Sequence, residues 1–521
     1  MNITLNKGII IEDAPYKLEK VIKDMLTIDN PEYVKRKERK YPTWGISKTI
    51  SFYAISEGKL WIGIGMIDKL IKLFEDLGIT GFSFSDERVS KESGNLFESN
   101  INLRGYQIES LNVLLENENG ILESPAGSGK TITGLALMER LQQYTLWLTH
   151  TKELMMQTRD KAEKLFPNIG KVGLLYGDAK FVGDGKLIIA SIKTLLNNDS
   201  LLAQLSKFVG CVIVDEAHHV PANTFMEVIT RTNSKYLYGL TATPYRPDGL
   251  QPFMEAAIGP IRMSIPRTRL YDEGYLLKPN VVPIYTEFNF TPAASISETK
   301  KESTTKKSYS VSAGGETFTY QEVLSALYED QNRVDLIATN IVENIKKDNY
   351  QLVLGNNKEY LRKIKIKVCS LLKEQNKVEE VVILNSDCSA NERKRIMKEL
   401  NSRKIKIVLA TQLAKEGLDI VNLNIVHLVT PRKGDEWSMD GNKKGNSLEQ
   451  EIGRVMRPDP HNQDKKSIVY DYVDYENGIF KAQYRSRCKV YKRLELPVPR
   501  KPKSQNKIDL EFVENFLSGK K

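Results

Sequence analysis

The stretch Ser124-Pro-Ala-Gly-Ser-Gly-Lys-Thr131 has the residue types and spacing of a loop that binds phosphate. It follows the apolar run Gly120-Ile-Leu122 and leads into an apolar segment, an order that predicts strand, tight turn and helix. Gly127 and Gly129 permit a sharp turn and the close approach of an anion. Backbone N–H groups at a helix start attract negative charge. The groups predicted to line the anion are those of Ala126, Gly127, Ser128 and Gly129.

Two side chains that end this loop predict what it binds. Lys130 is expected to reach the β- and γ-phosphates of a nucleotide, and Thr131 to hold Mg²⁺ through its hydroxyl. One position departs from the usual pattern, because Ser124 stands where a glycine is expected. An ordinary glycine turn before a helix is the alternative interpretation.

A pair of acids follows a second apolar run. Cys211-Val-Ile-Val214 predicts a buried strand, and Asp215 and Glu216 come directly after it, at the edge where ligands bind to parallel sheets. We expect Asp215 to hold Mg²⁺ and Glu216 to polarise an attacking water as general base. His218 is a candidate relay of the nucleotide state, whereas a packing role for His219 fits equally well. A surface acidic pair is the alternative.

A third candidate lies far along the chain, in Gln450-Glu-Ile-Gly-Arg-Val-Met-Arg-Pro458. If this segment is a helix, Gln450, Arg454 and Arg457 share one face. Guanidinium groups on such a face could stabilise charge on a transferring phosphate as arginine fingers. In isolation, a helix with solvent-facing arginines is the simpler interpretation.

Apolar strands alternate with predicted helices in two successive stretches, which predicts an α/β fold with two tandem parallel sheets. The predicted organisation is an N-terminal α+β accessory domain (1–95), two α/β domains (96–265 and 266–480) and a basic tail (481–521). A Ser-, Thr- and Lys-rich stretch at 291–317 predicts a flexible insertion. Within the accessory domain, basic residues 35–40 precede Tyr41 and Trp44, a pattern that suits nucleic-acid contact and equally a solvated face.

Composition sets broad limits on the protein class. The chain has 521 residues and a formal net charge of +10, which suggests a polyanionic partner only weakly. Its four cysteines lack metal-ligand or redox spacing, and no apolar run is long enough to span a bilayer. The start lacks the apolar region of a secretory signal. We therefore expect a protein of the cytoplasm, with no membrane partner, in a bacterial or phage-infected cell.

Taken together, the ordered motifs resemble those of the superfamily 2 helicases and translocases, over about residues 101–475. The segments that carry the resemblance are Leu103-Arg-Gly-Tyr-Gln107 (the adenine-recognition element), Ser124–Thr131 (motif I), Thr149–Gln157 (Ia), Ala190–Thr194 (Ib), Asp215-Glu-Ala-His218 (II), Thr241-Ala-Thr-Pro244 (III), Ala410–Asp419 (V) and Gln450–Arg457 (VI). Chance assembly of so many elements in order is not a serious competitor.

The resemblance implies two RecA-like domains that bind ATP and Mg²⁺ and grip nucleic acid through motifs Ia, Ib and V. It implies that Gln107 reads the adenine edge, with Arg104 and Tyr106 in support. Gly417 and Asp419 are implied to contact the nucleotide. The arginine-finger interpretation then prevails for the two arginines of motif VI.

A finer resemblance points to the branch that holds UvsW-type phage helicases, XPB and RecG-like remodellers. It rests on Gly239–Gly249 and on Tyr470-Asp-Tyr-Val-Asp474 before a basic segment. The region from Asn30 to Glu75 is similar to the N-terminal DNA-binding domain of UvsW-type helicases. This resemblance implies duplex or branched DNA as substrate and 3′-to-5′ movement. The expected partners are DNA, whether single-stranded, duplex or branched, and recombination or replication proteins.

Three competing functions stay open. A duplex translocase would move without separating strands, and an RNA helicase could share the motif II spelling. A non-enzymatic binding protein on a degenerate motor fold is disfavoured, because the residues of the reaction are intact, namely Lys130, Asp215, Glu216, Arg454 and Arg457.

Overall fold

Parallel strands form the centre of each of two structural units, one comprising Met1–Arg269 and the other beginning at Leu270. The computed structural model describes residues 1–38, 40–90, 94–217, 227–242, 251–290, 310–313, 316–346, 348–411, 420–434 and 448–498.

The first unit opens with a small α+β domain, as the sequence predicts. Its strands are Asn2–Leu5 (β1), Ile9–Glu12 (β2), Thr27–Asp29 (β3), Thr49–Ser51 (β4), Tyr53–Ser56 (β5), Lys59–Ile62 (β6) and Ser83–Asp86 (β7). Its helices are Tyr16–Met25 (α1), Pro31–Glu38 (α2) and Ile67–Asp76 (α3). Five strands form a sheet in the order β5-β6-β2-β1-β7, while β3 and β4 pair separately. Alternation of apolar and polar residues explains why one face of β1 and β2 is buried.

The larger part of the first unit is an eight-stranded sheet in the order β11-β10-β12-β9-β13-β14-β8-β15. Its strands are Asn119–Glu123 (β8), Thr145–Thr149 (β9), Gly173–Tyr176 (β10), Ala179–Phe181 (β11), Leu187–Ser191 (β12), Cys211–Asp215 (β13), Tyr236–Thr241 (β14) and Ile261–Ser264 (β15). Its helices are Gly105–Leu115 (α4), Lys130–Leu141 (α5), Lys152–Leu165 (α6), Ile192–Leu196 (α7), Asp199–Leu205 (α8) and Gln251–Ile258 (α9), and the next helix, Arg267–Asp272 (α10), contains the chain position at which the first unit ends. All pairings are parallel except that of β11 with β10. Buried apolar residues on β9, β12 and β13 form its core.

The small domain is packed tightly against this sheet. A Cβ added at Gly65 would lie 2.0 Å from the Glu255 carbonyl oxygen, so only glycine allows this approach to α9. Arg262 forms an ion pair of 2.6 Å with Asp68. Close backbone packing and a cross-domain ion pair together hold the accessory domain on the first unit.

The second unit contains a six-stranded, wholly parallel sheet in the order β16-β23-β22-β19-β21-β20. The strands of this unit are Asn280–Tyr285 (β16), Ser310–Ala313 (β17), Glu316–Thr319 (β18), Gln351–Leu354 (β19), Val381–Leu384 (β20), Ile407–Ala410 (β21), Ile425–Leu428 (β22) and Ile468–Val473 (β23). The helices are Tyr320–Glu329 (α11), Gln331–Glu343 (α12), Lys358–Glu374 (α13), Ala390–Asn401 (α14), Leu448–Ile452 (α15) and Gly478–Arg493 (α16).

Two features of the second unit differ from the sequence-based expectations. Strands β17 and β18 pair as an antiparallel hairpin inside the predicted flexible insertion, most of which lies outside the described residues. The predicted boundary at 480/481 falls within α16, which buries Tyr484, Arg487 and Tyr491 against the unit. The start of the expected basic tail is therefore a packed helix, because its arginine at 487 pairs with buried Asp471.

Candidate nucleotide-binding site

The predicted motifs of the first unit meet at one edge of its sheet. Strands β12, β9, β13, β14 and β8 are consecutive neighbours, and a motif begins at the carboxyl end of each. Because parallel strands end at the same edge, segments far apart in sequence come together there. One strand, β14, separates β13 from β8, so the backbones that carry Asp215 and the phosphate loop are about 10 Å apart.

The loop after β8 has the backbone that anion binding needs. Gly127 and Gly129 have φ of +88° and +86°, in the left-handed region that favours glycine, and Gly129 precedes α5. Ser124 is buried, its N–H donates to the Thr241 carbonyl, and its Oγ lies 2.6 Å from Ser128 Oγ. The serine that departs from the usual pattern therefore closes the loop with a hydrogen bond that glycine could not make.

Lys130 and the two acids after β13 face one another. The Lys130 Nζ lies 3.8 Å from Glu216 Oε1, and the lysine is only 8% exposed. The Glu216 N–H donates to Asp215 Oδ1 at 3.0 Å. Glu216 has φ of +50°, an uncommon conformation for a non-glycine residue that turns the chain sharply after the strand. The structure thus brings together the three residues that the sequence assigns to phosphate chemistry.

Burial and, second, the neighbouring carboxylate of Glu216 raise the pKa of Asp215, which is about 6. Lys130 and Lys161 oppose this rise in pKa. Lys161 lies on α6 outside every predicted motif, so its sequence position carries no signal of this role. A buried carboxylate with too little positive charge around it is suited to receive a cation.

The oxygen donors here fit Mg²⁺. A carboxylate from Asp215 and a hydroxyl from Thr131, with phosphate oxygens of a bound nucleotide, are the ligand types that this ion prefers. Among the described residues, no group of three or more His, Cys, Asp or Glu side chains could hold a metal ion.

The adenine-recognition element braces the phosphate loop. Tyr106 donates its hydroxyl hydrogen to the Ser128 carbonyl at 2.5 Å, and Arg104 donates to the Tyr106 hydroxyl. The Gln107 amide donates to Ser128 O at 3.3 Å and accepts from the Arg104 N–H. Sequence reasoning did not foresee this contact with the loop. The predicted reading of adenine by Arg104 and Gln107 stays a prediction.

Several predicted residues fall outside the described part of the chain. They are His218, His219, Thr243, Gly417 and Asp419. The exposed Lys152 and Lys193, in motifs Ia and Ib, lie just after β9 and β12, at the carboxyl edge.

The predicted helix of motif VI is shorter than expected. Helix α15 ends at Ile452, and the chain continues in turns through Met456. The expectation that Gln450, Arg454 and Arg457 lie on one helical face is therefore wrong. Glycine at position 453 disfavours helix continuation, and the Arg454 N–H bonds to the carbonyl three residues back, as in a tightened final turn.

Buried charges hold this segment within the second unit. Glu451 forms an ion pair of 2.8 Å with Arg432, whose carbonyl accepts from Arg487 on α16. Lys465 donates to the Arg457 carbonyl at 2.7 Å. The backbone around the two motif arginines is thereby fixed from both ends.

Two family models match the chain. The model described as "Type III restriction enzyme, res subunit" matches residues 100–246, and "Helicase conserved C-terminal domain" matches residues 332–459. These matches confirm the prediction of two tandem RecA-like domains.

Two relatives illustrate the similarity. The chain is 26% identical to a protein of Acanthamoeba polyphaga mimivirus whose name describes an ATP-dependent RNA helicase, L396; the alignment covers 77% of this chain and 70% of the viral protein. It is 30% identical to "DNA 3'-5' translocase XPB2" of Sulfurisphaera tokodaii over 32% of this chain and 36% of that protein. The second match supports the predicted XPB-like branch but spans about a third of either chain.

Solved structures share the fold. The Type ISP restriction-modification enzyme LlaBIII bound to DNA aligns with a TM-score of 0.52 and 13% identity, covering 87% of this chain and 37% of that enzyme. T4 UvsW aligns over 95% of this chain and 98% of its own, with 15% identity and a TM-score of 0.39. Among the described residues, no helix has both the length and the apolar composition to cross a membrane.

Proposed function

Because this chain belongs to the superfamily 2 helicases and hydrolyses ATP, we propose that it moves along or remodels duplex or branched DNA. One observation carries the proposal: Lys130, Asp215 and Glu216 converge beside the phosphate loop, with Lys130 Nζ 3.8 Å from Glu216. A motor needs these groups to hydrolyse nucleotide, whereas a passive binding protein does not.

In the proposed reaction, Glu216 takes the proton from the attacking water, and Lys130 balances negative charge on the phosphates. Thr131 and Asp215 would hold Mg²⁺, which supplies charge neutralisation at the phosphate oxygens. Lys130 must leave Glu216 for the phosphates, which frees the carboxylate to act as base. The arginine-finger roles of Arg454 and Arg457 belong to the same proposal.

Exposed groups at the same sheet edge are the proposed nucleic-acid contacts. Lys152 follows β9 and Lys193 follows β12, beyond the strand that carries Asp215. Thr151 caps α6, so the helix N-terminus adds partial positive charge. Phosphate contacts of this type make binding fall steeply with salt.

DNA is the proposed substrate because the relative that is 30% identical is named a DNA translocase. An RNA substrate is the second candidate, since the relative that aligns over 77% of this chain is named an RNA helicase. A third candidate is translocation along duplex DNA without separation of its strands. Recombination, repair or replication proteins are the proposed functional partners.

The decisive experiment measures ATP hydrolysis with single-stranded DNA, duplex, fork, four-way junction and RNA, each added separately. We expect stimulation by DNA and its loss in Lys130→Ala. Equal stimulation by RNA and DNA would contradict the DNA assignment. Unwinding of forks, compared with displacement of a triplex strand, then distinguishes a helicase from a pure translocase.

Substituting the motif VI arginines tests their roles. Arg454→Ala should lower kcat by about 10³-fold or more if the side chain acts as an arginine finger. A kcat within a few-fold of the wild type would assign Arg454 a structural role instead.

A further inference from the structure

A tryptophan in the accessory domain is almost entirely exposed. Trp44 is 96% accessible to solvent, although large aromatic side chains are normally well covered in folded proteins. It lies in a tight turn in which the Ile46 N–H donates to the Thr43 carbonyl at 3.1 Å, and Gly45 has φ of +75°. The turn presents the indole outward.

The loop that carries this turn is ordered by its own hydrogen bonds. Residues 30–48, between β3 and β4, form what we call the tip module. The Tyr41 N–H donates to the Arg36 carbonyl at 2.8 Å, and the Asn30 N–H donates to the Lys48 carbonyl at 2.8 Å. The loop is therefore tied to both ends of α2. A loop backbone that is already fixed loses little entropy when a ligand binds to it.

The segment that carries the exposed ring is rich in basic residues. Residues 29–48 contain six basic and three acidic residues. Lys35, Lys37, Lys40 and Lys48 are exposed. The acids Asp29 and Glu38 share a cleft with Lys37 and Lys48, so the module keeps only part of its positive charge. Helix α2 is about 12 Å long, which spans three or four phosphates at about 3.4 Å per step.

A flat aromatic ring among cations matches the chemistry of a nucleic-acid strand. Bases have π-faces that stack on tryptophan, and the backbone is polyanionic. Only unpaired bases offer a free face, because base faces in a duplex are stacked on each other. A protein partner with an apolar surface would pack well against the tryptophan ring, but it would offer no negative charge to the lysines of the module.

We propose that Trp44 stacks on an unpaired nucleobase while Lys37, Lys40 and Lys48 contact the adjoining phosphates. The inference rests on the proposed function and adds a second nucleic-acid contact, apart from motifs Ia and Ib. The contacts of Gly65 with α9 and of Asp68 with Arg262 fix the accessory domain to the first unit. The tip module therefore belongs to a domain that is joined directly to the unit with the phosphate loop.

Tryptophan fluorescence tests the stacking directly in the full-length protein. Of the three tryptophans within the described residues, Trp147 is fully buried and Trp61 is 37% exposed, so an added oligonucleotide should quench Trp44 most strongly among them. Titration with dT20 should quench wild-type emission, and this quenching should vanish in Trp44→Ala and Trp44→Phe. Quenching that persists unchanged in Trp44→Ala would overturn the proposal.

Affinity for dT20 provides the second readout. Loss of one stacked base should weaken binding by about 5- to 150-fold in Trp44→Ala, and Trp44→Phe should recover most of it. Phe84 is the matched control, because it is 58% exposed on β7, at the opposite sheet edge from β5, which follows β4. Phe84→Ala should bind dT20 as the wild type does. Equal weakening by both alanine variants would refute the specific contact.

Salt dependence separates stacking from charge. Trp44→Ala should leave the slope of log K against log salt unchanged, whereas Lys37→Gln and Lys48→Gln should each reduce it by about 0.7. If wild-type ATP hydrolysis responds to DNA but Trp44→Ala binds dT20 normally, only this inference fails. If no nucleic acid stimulates the wild type, the proposed function itself fails.

Discussion

Replacing Asp215 by asparagine should make the nucleotide-free protein more stable although it removes a residue of the reaction. The carboxylate is only 5% exposed and lies beside Glu216, so its ionised form is disfavoured in the folded state. Asparagine keeps the oxygen that accepts from the Glu216 N–H but carries no charge. The variant therefore avoids the electrostatic cost that the wild type bears.

The magnitude follows from the pKa of Asp215. A pKa of about 6, against an ordinary value of 3.8, corresponds to at most about 3 kcal/mol. Because the folded pKa is raised, the folded state holds the proton more tightly than the unfolded state does. The contribution of protonated Asp215 to the free energy of unfolding is fully present below pH 3.8, and it is lost as pH rises through about 6. Asp215→Asn should therefore gain about 3 kcal/mol at pH 8, about half of that at pH 5, and almost nothing near pH 3.5.

Thermal unfolding in EDTA, without nucleotide, measures the effect through tryptophan fluorescence. Three of the four tryptophans are described, and all three lie in the first unit. A gain of 3 kcal/mol corresponds to a Tm increase of about 6–12 °C at pH 8. Asp178, an exposed acid between β10 and β11, gives the control variant Asp178→Asn, which should change Tm little. A gain that is absent at pH 8, or equal at pH 8 and pH 5, would refute the reasoning.

Three further predictions concern single side chains. Arg333→Met should destabilise the second unit by about 3–5 kcal/mol in denaturant unfolding, because it leaves Asp474 charged and wholly buried; a loss below about 1 kcal/mol would contradict this. Gly129→Ala should weaken ATP binding in a nucleotide titration, because its φ is +86° and the new Cβ would lie 2.7 Å from a glutamine amide. Gly177→Ala, with positive φ but open space, is the control and should bind ATP normally. Glu451→Gln should lower kcat by roughly 10- to 100-fold with a smaller change in KM, because the ion pair of this buried carboxylate with Arg432 positions motif VI; an unchanged kcat would show that this pair has only a structural role.

Short-range sequence patterns correctly predicted the strands that precede the phosphate-binding residues and the position of those residues at the strand ends. The apolar runs before Ser124 and Asp215 became buried strands, and parallel pairing brought their ends to one edge. Helical periodicity predicted one helix through motif VI, but α15 ends before the glycine at position 453. The spacing of residues along a helix face does not indicate where the helix ends. Composition likewise misread α16 as a tail, because basic residues look solvent-exposed until a buried acid partner is known.

The sequence by itself determined which residues can bind a nucleotide, because that chemistry depends on residue types at fixed local spacing. Tertiary structure alone decided how those residues are tuned. Burial and Glu216 set the pKa of Asp215, Gln107 braces the loop, and the Arg333–Asp474 pair joins residues 141 positions apart. Only the tertiary structure shows that Trp44 is exposed to solvent whereas Trp147 is buried. These properties depend on desolvation and on long-range neighbours, which no local pattern along a chain specifies.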